Sequence, residues 1–418
     1  MGAKAPKGEW AANWPLVLSC AVGVSGPSVA LFALGQFMTP LANEFGWSRT
    51  EVSIGFSISL VLGVFSSPFI GRLTDLMNAR TLALIGCVLG GMATAVLSLA
   101  NGDIHVWIAL WMLKAVATML IGPVIWLSVL PAVFKRHRSL ATALALSGQS
   151  LAATFAPALS RYLISAYGWR LAFDLLALIW YGSMFALALF FFFDRRERLP
   201  RKPPAAADAG EAKPKDASVW AVFRSPTFLK LAFVIFVAKT MTLGDMVHLS
   251  PALTDRGFGP IEAAKIVGVA GVASMIGKVC VGWLFDRLSI FKVSAVIMTV
   301  FALACVLLGL LHLQVWWALA ACAAIGATDG GLLTAIACFS GRLFRPQDFG
   351  VVFGAMNSAM AISTGLGPTL AGLAFDRFGS YAPMYWGGLL VAALCLVLMK
   401  TVDAPPPGRA APLAVAAE

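Results

Sequence analysis

Long apolar stretches separated by short polar ones fill almost the whole chain. The first half carries Trp14–Pro40, Glu51–Leu73, Leu82–Ala100, Val106–Val133, Leu140–Ala166 and Trp169–Phe193. The second carries Pro226–Leu249, Ile261–Phe285, Phe291–Leu311, Val315–Leu343, Phe349–Phe375 and Pro383–Lys400. A helix of roughly 20 apolar residues crosses a hydrocarbon core about 30 Å thick, so each stretch predicts one spanning helix. Six spans followed by six more make an all-α membrane protein. Glycine and proline interrupt several spans, as in Val22-Gly23-Val24-Ser25-Gly26-Pro27 and Gly365-Leu366-Gly367-Pro368. In a membrane bundle such residues permit close helix approach and bending; they serve packing or helices that rock.

The polar punctuation repeats. Gly71-Arg72-Leu73-Thr74-Asp75, with Arg80 beyond it, lies between two apolar stretches, and Gly282-Trp283-Leu284-Phe285-Asp286-Arg287 lies in the same place in the second half. At that offset of 211 residues, Pro157 falls on Pro368 and Gly168 on Gly379. The chain therefore reads as two parallel copies of one unit: an N-terminal tail (residues 1–13), a six-helix bundle (14–193), a linker (194–225), a second bundle (226–402) and a C-terminal tail (403–418).

Composition agrees with a membrane class. Residues of the AVILMFWYC set make up 59% and charged residues 12%, about half the charged fraction of a soluble domain. The net charge of +11 sits in short segments between spans, which reads as topology and excludes nucleic-acid binding. With loops assigned to alternate sides, most Lys and Arg fall on the side holding both termini and the linker, against Arg49, Arg170, Arg256, Lys265 and Arg377 on the other; that bias predicts cytoplasmic termini. Met1–Trp10 has no apolar run ending in a small-residue cleavage site, so the first span is expected to act as its own insertion signal. Cys20, Cys87, Cys280, Cys305, Cys322, Cys338 and Cys395 lie in or beside spans without a CxxC pair and read as small buried hydrophobes. Neither a metal-ligand spacing, a phosphate-binding Gly-rich loop nor a Ser elbow is present, which argues against an enzyme and against a bound cofactor.

Twelve spans in two copies, each with a Gly-x-Leu-x-Asp phrase after its second span, resemble the major facilitator superfamily. The usual phrase has Arg after the Asp and a later Gly; here Leu76 and Asn78 stand at those places, while the second copy keeps Asp286-Arg287. Glu44-Phe45-Gly46-Trp47-Ser48-Arg49, Phe134-Lys135-Arg136-His137-Arg138-Ser139-Leu140-Ala141, Gly168-Trp169-Arg170 and His248-Leu249-Ser250-Pro251-Ala252-Leu253-Thr254-Asp255-Arg256-Gly257 look like the bacterial relatives of monocarboxylate and oxalate/formate transporters. The resemblance implies a carrier in the bacterial cytoplasmic membrane. It also implies a gate latch at Asp75, Arg80, Asp286 and Arg287, whose alternative is ordinary loop charge. The family's eighth and fourth spans often carry Arg; Lys278 and Lys114 stand there instead, so a mobile point charge replaces a planar fork.

Apart from family, charges deep in spans carry the chemistry. A central Lys or Asp is unfavourable by roughly 2.5–3.5 kcal/mol, so each needs a partner or a watery cavity. Lys114, Lys239, Lys278 and Asp329 lie deepest, with Asp245 and His248 nearer the outer end of the seventh span. Lys278 either binds a substrate carboxylate or forms a tie with Asp329. Lys239 binds anion or a backbone carbonyl, and Lys114 binds anion or snorkels. Asp329, Asp245 and His248 are the proton-coupling candidates, with His248 alternatively an interfacial hydrogen-bonded residue. Gln149 and Asn357 either line a cavity or bridge helices. Trp111 and Trp126 either floor a pocket or belong to an interface.

The leading expectation is a monomeric carrier that moves a small organic anion, a monocarboxylate, with a proton by alternating access. An organic-anion exchanger, a drug exporter and a non-transporting sensor in a carrier fold are the rivals.

Overall fold

The structure is a computed structural model that describes residues 9–59, 77–134, 138–193, 223–310, 314–344 and 349–402. All regular structure among them is helical. The N-terminal half consists of α1 (Glu9–Phe45), α2 (residues 49–59), α3 (Ala79–Ala95), α4 (Ile104–Met119), α5 (Pro123–Leu127), α6 (Leu130–Val133), α7 (Arg138–Leu146) and α8 (Gly148–Phe191). The C-terminal half consists of α9 (Pro226–Thr254), α10 (Pro260–Arg287), α11 (Ile290–Gly309), α12 (Val315–Leu343), α13 (Phe349–Phe378) and α14 (Ala382–Lys400).

Nine apolar helical stretches among the described residues are long enough to cross a membrane. One of them, ending in α8, is two spans joined at Gly168, whose φ of 79° only glycine adopts without strain. α4, shorter, and α2, whose continuation lies outside the described residues, occupy the places of the two remaining spans. Twelve spans fit this arrangement. Asp75, the linker cations before Phe223 and the C-terminal tail also lie outside the described residues.

Local sequence explains where helices start. Ser48 and Glu51 form a reciprocal capping box: the Ser48 N–H donates to Glu51 Oε2 at 2.8 Å, and the Glu51 N–H donates to Ser48 Oγ at 3.2 Å. Ser225 caps α9 by accepting the Phe228 N–H, with Pro226 supplying the first turn.

One predicted span is corrected. Val106–Val133 is not continuous, because Pro123 has no N–H to extend the ladder and the helix stops at Met119. The carbonyl of Ile121 is taken instead by the Trp126 indole N–H at 3.1 Å, and Trp126 is fully buried against Gly23. A side chain on Gly23 would overlap that ring, so Trp126 is a core residue of the break and not the floor of a pocket.

The chain clusters into two compact units, one of Met1–Ala206 with Pro260–Gly271 and one of Ala207–Gly259 with Val272–Glu418. Within the first, α1 packs on α8 and α3 on α8; within the second, α9 packs on α13 and α11 on α14. The copies agree in detail. Gly46 and Gly257 both have positive φ, as do Gly168 and Gly379, and Pro40 and Pro251 both lie inside helices.

In the first unit α8 begins against α1, where a Cβ on Gly148 would overlap the Ala21 carbonyl, while Gly182 on the same helix has open space. Gly148→Ala is expected to lower the melting temperature of the detergent-purified protein, at an overpacking cost of about 1–3 kcal/mol. Gly182→Ala leaves it unchanged or raises it slightly.

Candidate functional site

The second unit brings three of the predicted site residues together at mid-span. Asp329, fifteenth residue of α12, ion-pairs with Lys239 of α9, and both are nearly buried. Ser274 of α10 donates its hydroxyl to the other carboxylate oxygen at 3.2 Å. Lys239 Nζ also lies 3.5 Å from the Asp329 carbonyl. Lys278, one turn from Ser274, is half-buried and interacts electrostatically with both Asp329 and Lys239. Two ammonium groups thus surround one carboxylate.

Lys239 is thus an ion-pair partner of Asp329 that the sequence did not single out, beside the tie it offered as one reading of Lys278. Sequence could not choose, since both lysines lie at similar depth. The choice falls to glycine. Side chains on Gly277 and Gly330 would overlap the backbones of Ala327 and Ser274, so α10 and α12 meet main chain to main chain. Thr334 pins the crossing by donating to the Lys278 carbonyl at 3.2 Å. Ser274 consequently faces Asp329 across the contact, and Lys239 reaches the carboxylate from α9. Ser274 was absent from the predicted site; its position one turn before Lys278 was the available signal.

The other predicted residues lie elsewhere. In the first unit Lys114 is 2% exposed and does not snorkel. Its ammonium donates to Thr94 Oγ1 at 2.6 Å and Tyr181 Oη at 3.3 Å, and Tyr181 in turn donates to the Gly26 carbonyl. Lys114 therefore joins α1, α3, α4 and α8 through hydroxyls, with no carboxylate at ion-pair distance among the described residues. Arg161, inside α8, has its Nε enclosed without a partner among the described residues. Gln149 on α8 and Asn357 on α13 are half-buried.

Toward the end of α9, His248 Nε2 lies 2.9 Å from the Pro368 carbonyl and Nδ1 2.7 Å from Tyr381 Oη. A carbonyl only accepts, so Nε2 carries the hydrogen and, in the neutral ring, Nδ1 accepts from Tyr381. His248 ties α9 to α13 and to the residue that precedes α14. Asp245 is 4% exposed, and its Oδ1 has no hydrogen-bond partner among the described residues.

Of the gate residues, Arg80 donates to the Leu189 carbonyl at 2.6 Å and lies over Phe193, and Arg287 lies over Trp283. Two phrases that carried the resemblance turn out to be partners. Glu44 ion-pairs with Arg170 at 2.6 Å and accepts the Trp169 indole N–H, joining the end of α1 to the second segment of α8. Five of the seven cysteines are buried and Cys338 is half-buried, but Cys280 is exposed.

A family model described as Major Facilitator Superfamily matches residues 18–330 and, in a second placement, 292–417. The chain belongs to that superfamily. Among superfamily relatives, human monocarboxylate transporter 11 is 28% identical over 407 residues, covering 91% of this chain and 80% of that protein. Monocarboxylate transporter 13 of Bos taurus is 27% identical over 286 residues; the match spans 68% of this chain and only 63% of that protein's own length. In structure the chain resembles the nucleoside transporter NupG with a TM-score of 0.74 at 10% identity, covering 93% of this chain and 99% of that one, a likeness of fold alone. These three are transporters and not enzymes, and this protein is a multi-pass membrane transporter of the same superfamily.

Truncating one member of the buried pair leaves the other uncompensated, at a cost of about 3–5 kcal/mol. Lys239→Ala is therefore expected to melt well below the wild type. The double variant Lys239→Ala with Asp329→Ala, which removes both charges, melts above Lys239→Ala alone. Additive losses in the same thermal-unfolding measurement would contradict a direct pair.

Proposed function

We propose that this superfamily transporter moves a small organic anion, a monocarboxylate, together with a proton across a bacterial cytoplasmic membrane, as a monomer with both termini inside. The observation that carries the reading is the excess of cation at mid-span: Lys239 and Lys278 against the single carboxylate of Asp329. A buried excess of positive charge is costly in a low-dielectric interior, and an incoming carboxylate offsets it. We assign the substrate carboxylate to Lys278, the second ammonium in electrostatic reach of Asp329. Lys114 supplies a second buried cation in the first unit. The monocarboxylate transporters among the relatives support the substrate class. The lysines also speak against a cation exporter, which would call for a surplus of acid.

Alternating exposure of the bound anion to the two sides of the membrane follows the general plan of such carriers. Proton coupling balances the anion's charge, with Asp329 and Asp245 as the acids available for it. An exchanger would use the same lysines and run without a proton gradient; counterflow separates the two.

In proteoliposomes, uptake of radiolabelled lactate, with benzoate as an aromatic probe, is expected to rise when the outside is made acid. Indifference to that gradient rules out symport. Lys278→Gln loses a charged hydrogen bond worth about 1.5–3 kcal/mol, so half-saturation should require roughly tenfold more anion or beyond. Unchanged half-saturation would remove Lys278 from the substrate site. Absence of uptake and counterflow for every carboxylate tried would favour a sensor.

A further inference from the structure

We infer that Asp245, with Tyr385 beside it, forms a proton-binding site of its own, separate from the Lys239–Asp329 pair, and that Asp245 is the acid that couples transport to protons. The inference rests on the carrier reading above and divides its labour between two acids.

Asp329 is unsuited to the task. Its two carboxylate oxygens are held by the Lys239 ammonium and the Ser274 hydroxyl. A proton arriving there would dismantle the contact that keeps three helices together.

Asp245 is in the opposite condition. Six residues after Lys239 on α9, it lies about 9 Å further along the axis at 1.5 Å per residue, and turned about 120° round the helix at roughly 100° per residue. Its Oδ1 is enclosed and has no hydrogen-bond partner among the described residues, and none of the described cations is at ion-pair distance. The titratable groups in electrostatic reach of it are the Cys305 thiol of α11 and the Tyr385 phenol of α14. Beyond the phenol lie Tyr381, Cys322 of α12 and Arg256, whose guanidinium stands 5.6 Å over the Tyr385 ring. His248, one turn along, is committed to Pro368 and Tyr381. An ionised Asp245 would therefore be a buried charge without a counter-charge, whereas the carboxylic acid is neutral and brings its own donor.

Two further observations point the same way. Arg256 NH1 is also enclosed without a partner among the described residues. Its guanidinium lies over the ring of the same phenol that is in electrostatic reach of Asp245, and that hydroxyl can both donate and accept. In addition, the first copy of the repeat has Leu34 at the position equivalent to Asp245. The scaffold does not require an acid there.

The test uses the full-length protein in lactate-loaded proteoliposomes and compares Asp245→Asn, Asp329→Asn and Tyr385→Phe. For Asp245→Asn, the ratio of acid-gradient-driven lactate uptake to lactate counterflow should fall about tenfold or more relative to wild type, on the scale of one proton-binding step. Tyr385→Phe should lower the same ratio less, and Asp329→Asn should depress uptake and counterflow together. Infrared difference spectra of the purified proteins give a readout that needs no transport. The carbonyl stretch of a neutral carboxylic acid should vanish in Asp245→Asn and persist in Asp329→Asn. A band lost from Asp329→Asn instead, or an Asp245→Asn carrier still driven by the gradient, overturns the inference. Wild-type protein that moves no lactate but shows the Asp245 band would sink the substrate reading and leave the proton site standing.

Discussion

A charge inside a membrane-spanning helix needs a partner on another helix or a watery cavity, because lipid cannot answer it. Lys239 and Asp329 answer each other, and that contact joins α9 to α12 while Ser274 brings in α10. Lys278 adds positive charge to a carboxylate that is already engaged. The result is a structural tie that is also electrically unbalanced.

The first unit meets the same demand differently. Lys114 is as deep as Lys239, yet its partners are the hydroxyls of Thr94 and Tyr181. Hydroxyls satisfy the donors without cancelling the charge. The indole of Trp126 does comparable work for a carbonyl left without its usual helical partner at Ile121. In both cases a side chain supplies what the helix ladder lacks.

Glycine decides which of these groups can meet. Hydroxyl-to-carboxylate contact between α10 and α12 depends on Gly277 and Gly330 removing a layer of side chain from the crossing. Gly244 and Gly367 do the same between α9 and α13, next to Asp245 and His248. The polar chemistry of the second unit therefore sits where the backbones are closest.

The sequence alone determined the class and the plan. Runs of apolar residues long enough to span the bilayer, and a phrase returning from Gly71 to Gly282, leave no other architecture, because hydrophobic length and internal periodicity are linear properties of a chain. It also singled out Lys239, Lys278, Asp329, Lys114 and Asp245, since any ionisable group in a span is conspicuous. The break at Gly122–Pro123 was legible in principle, because proline and glycine signal it locally. Which lysine takes Asp329, that Ser274 completes the pair, that Lys114 is bound by hydroxyls and that Asp245 Oδ1 has no partner among the described residues were decided by tertiary structure only. Those facts depend on helix rotation and on approach distances of an ångström or two between residues 20 to 90 positions apart in sequence. Hydropathy sets the depth of a residue along its helix; only packing sets the direction in which it points.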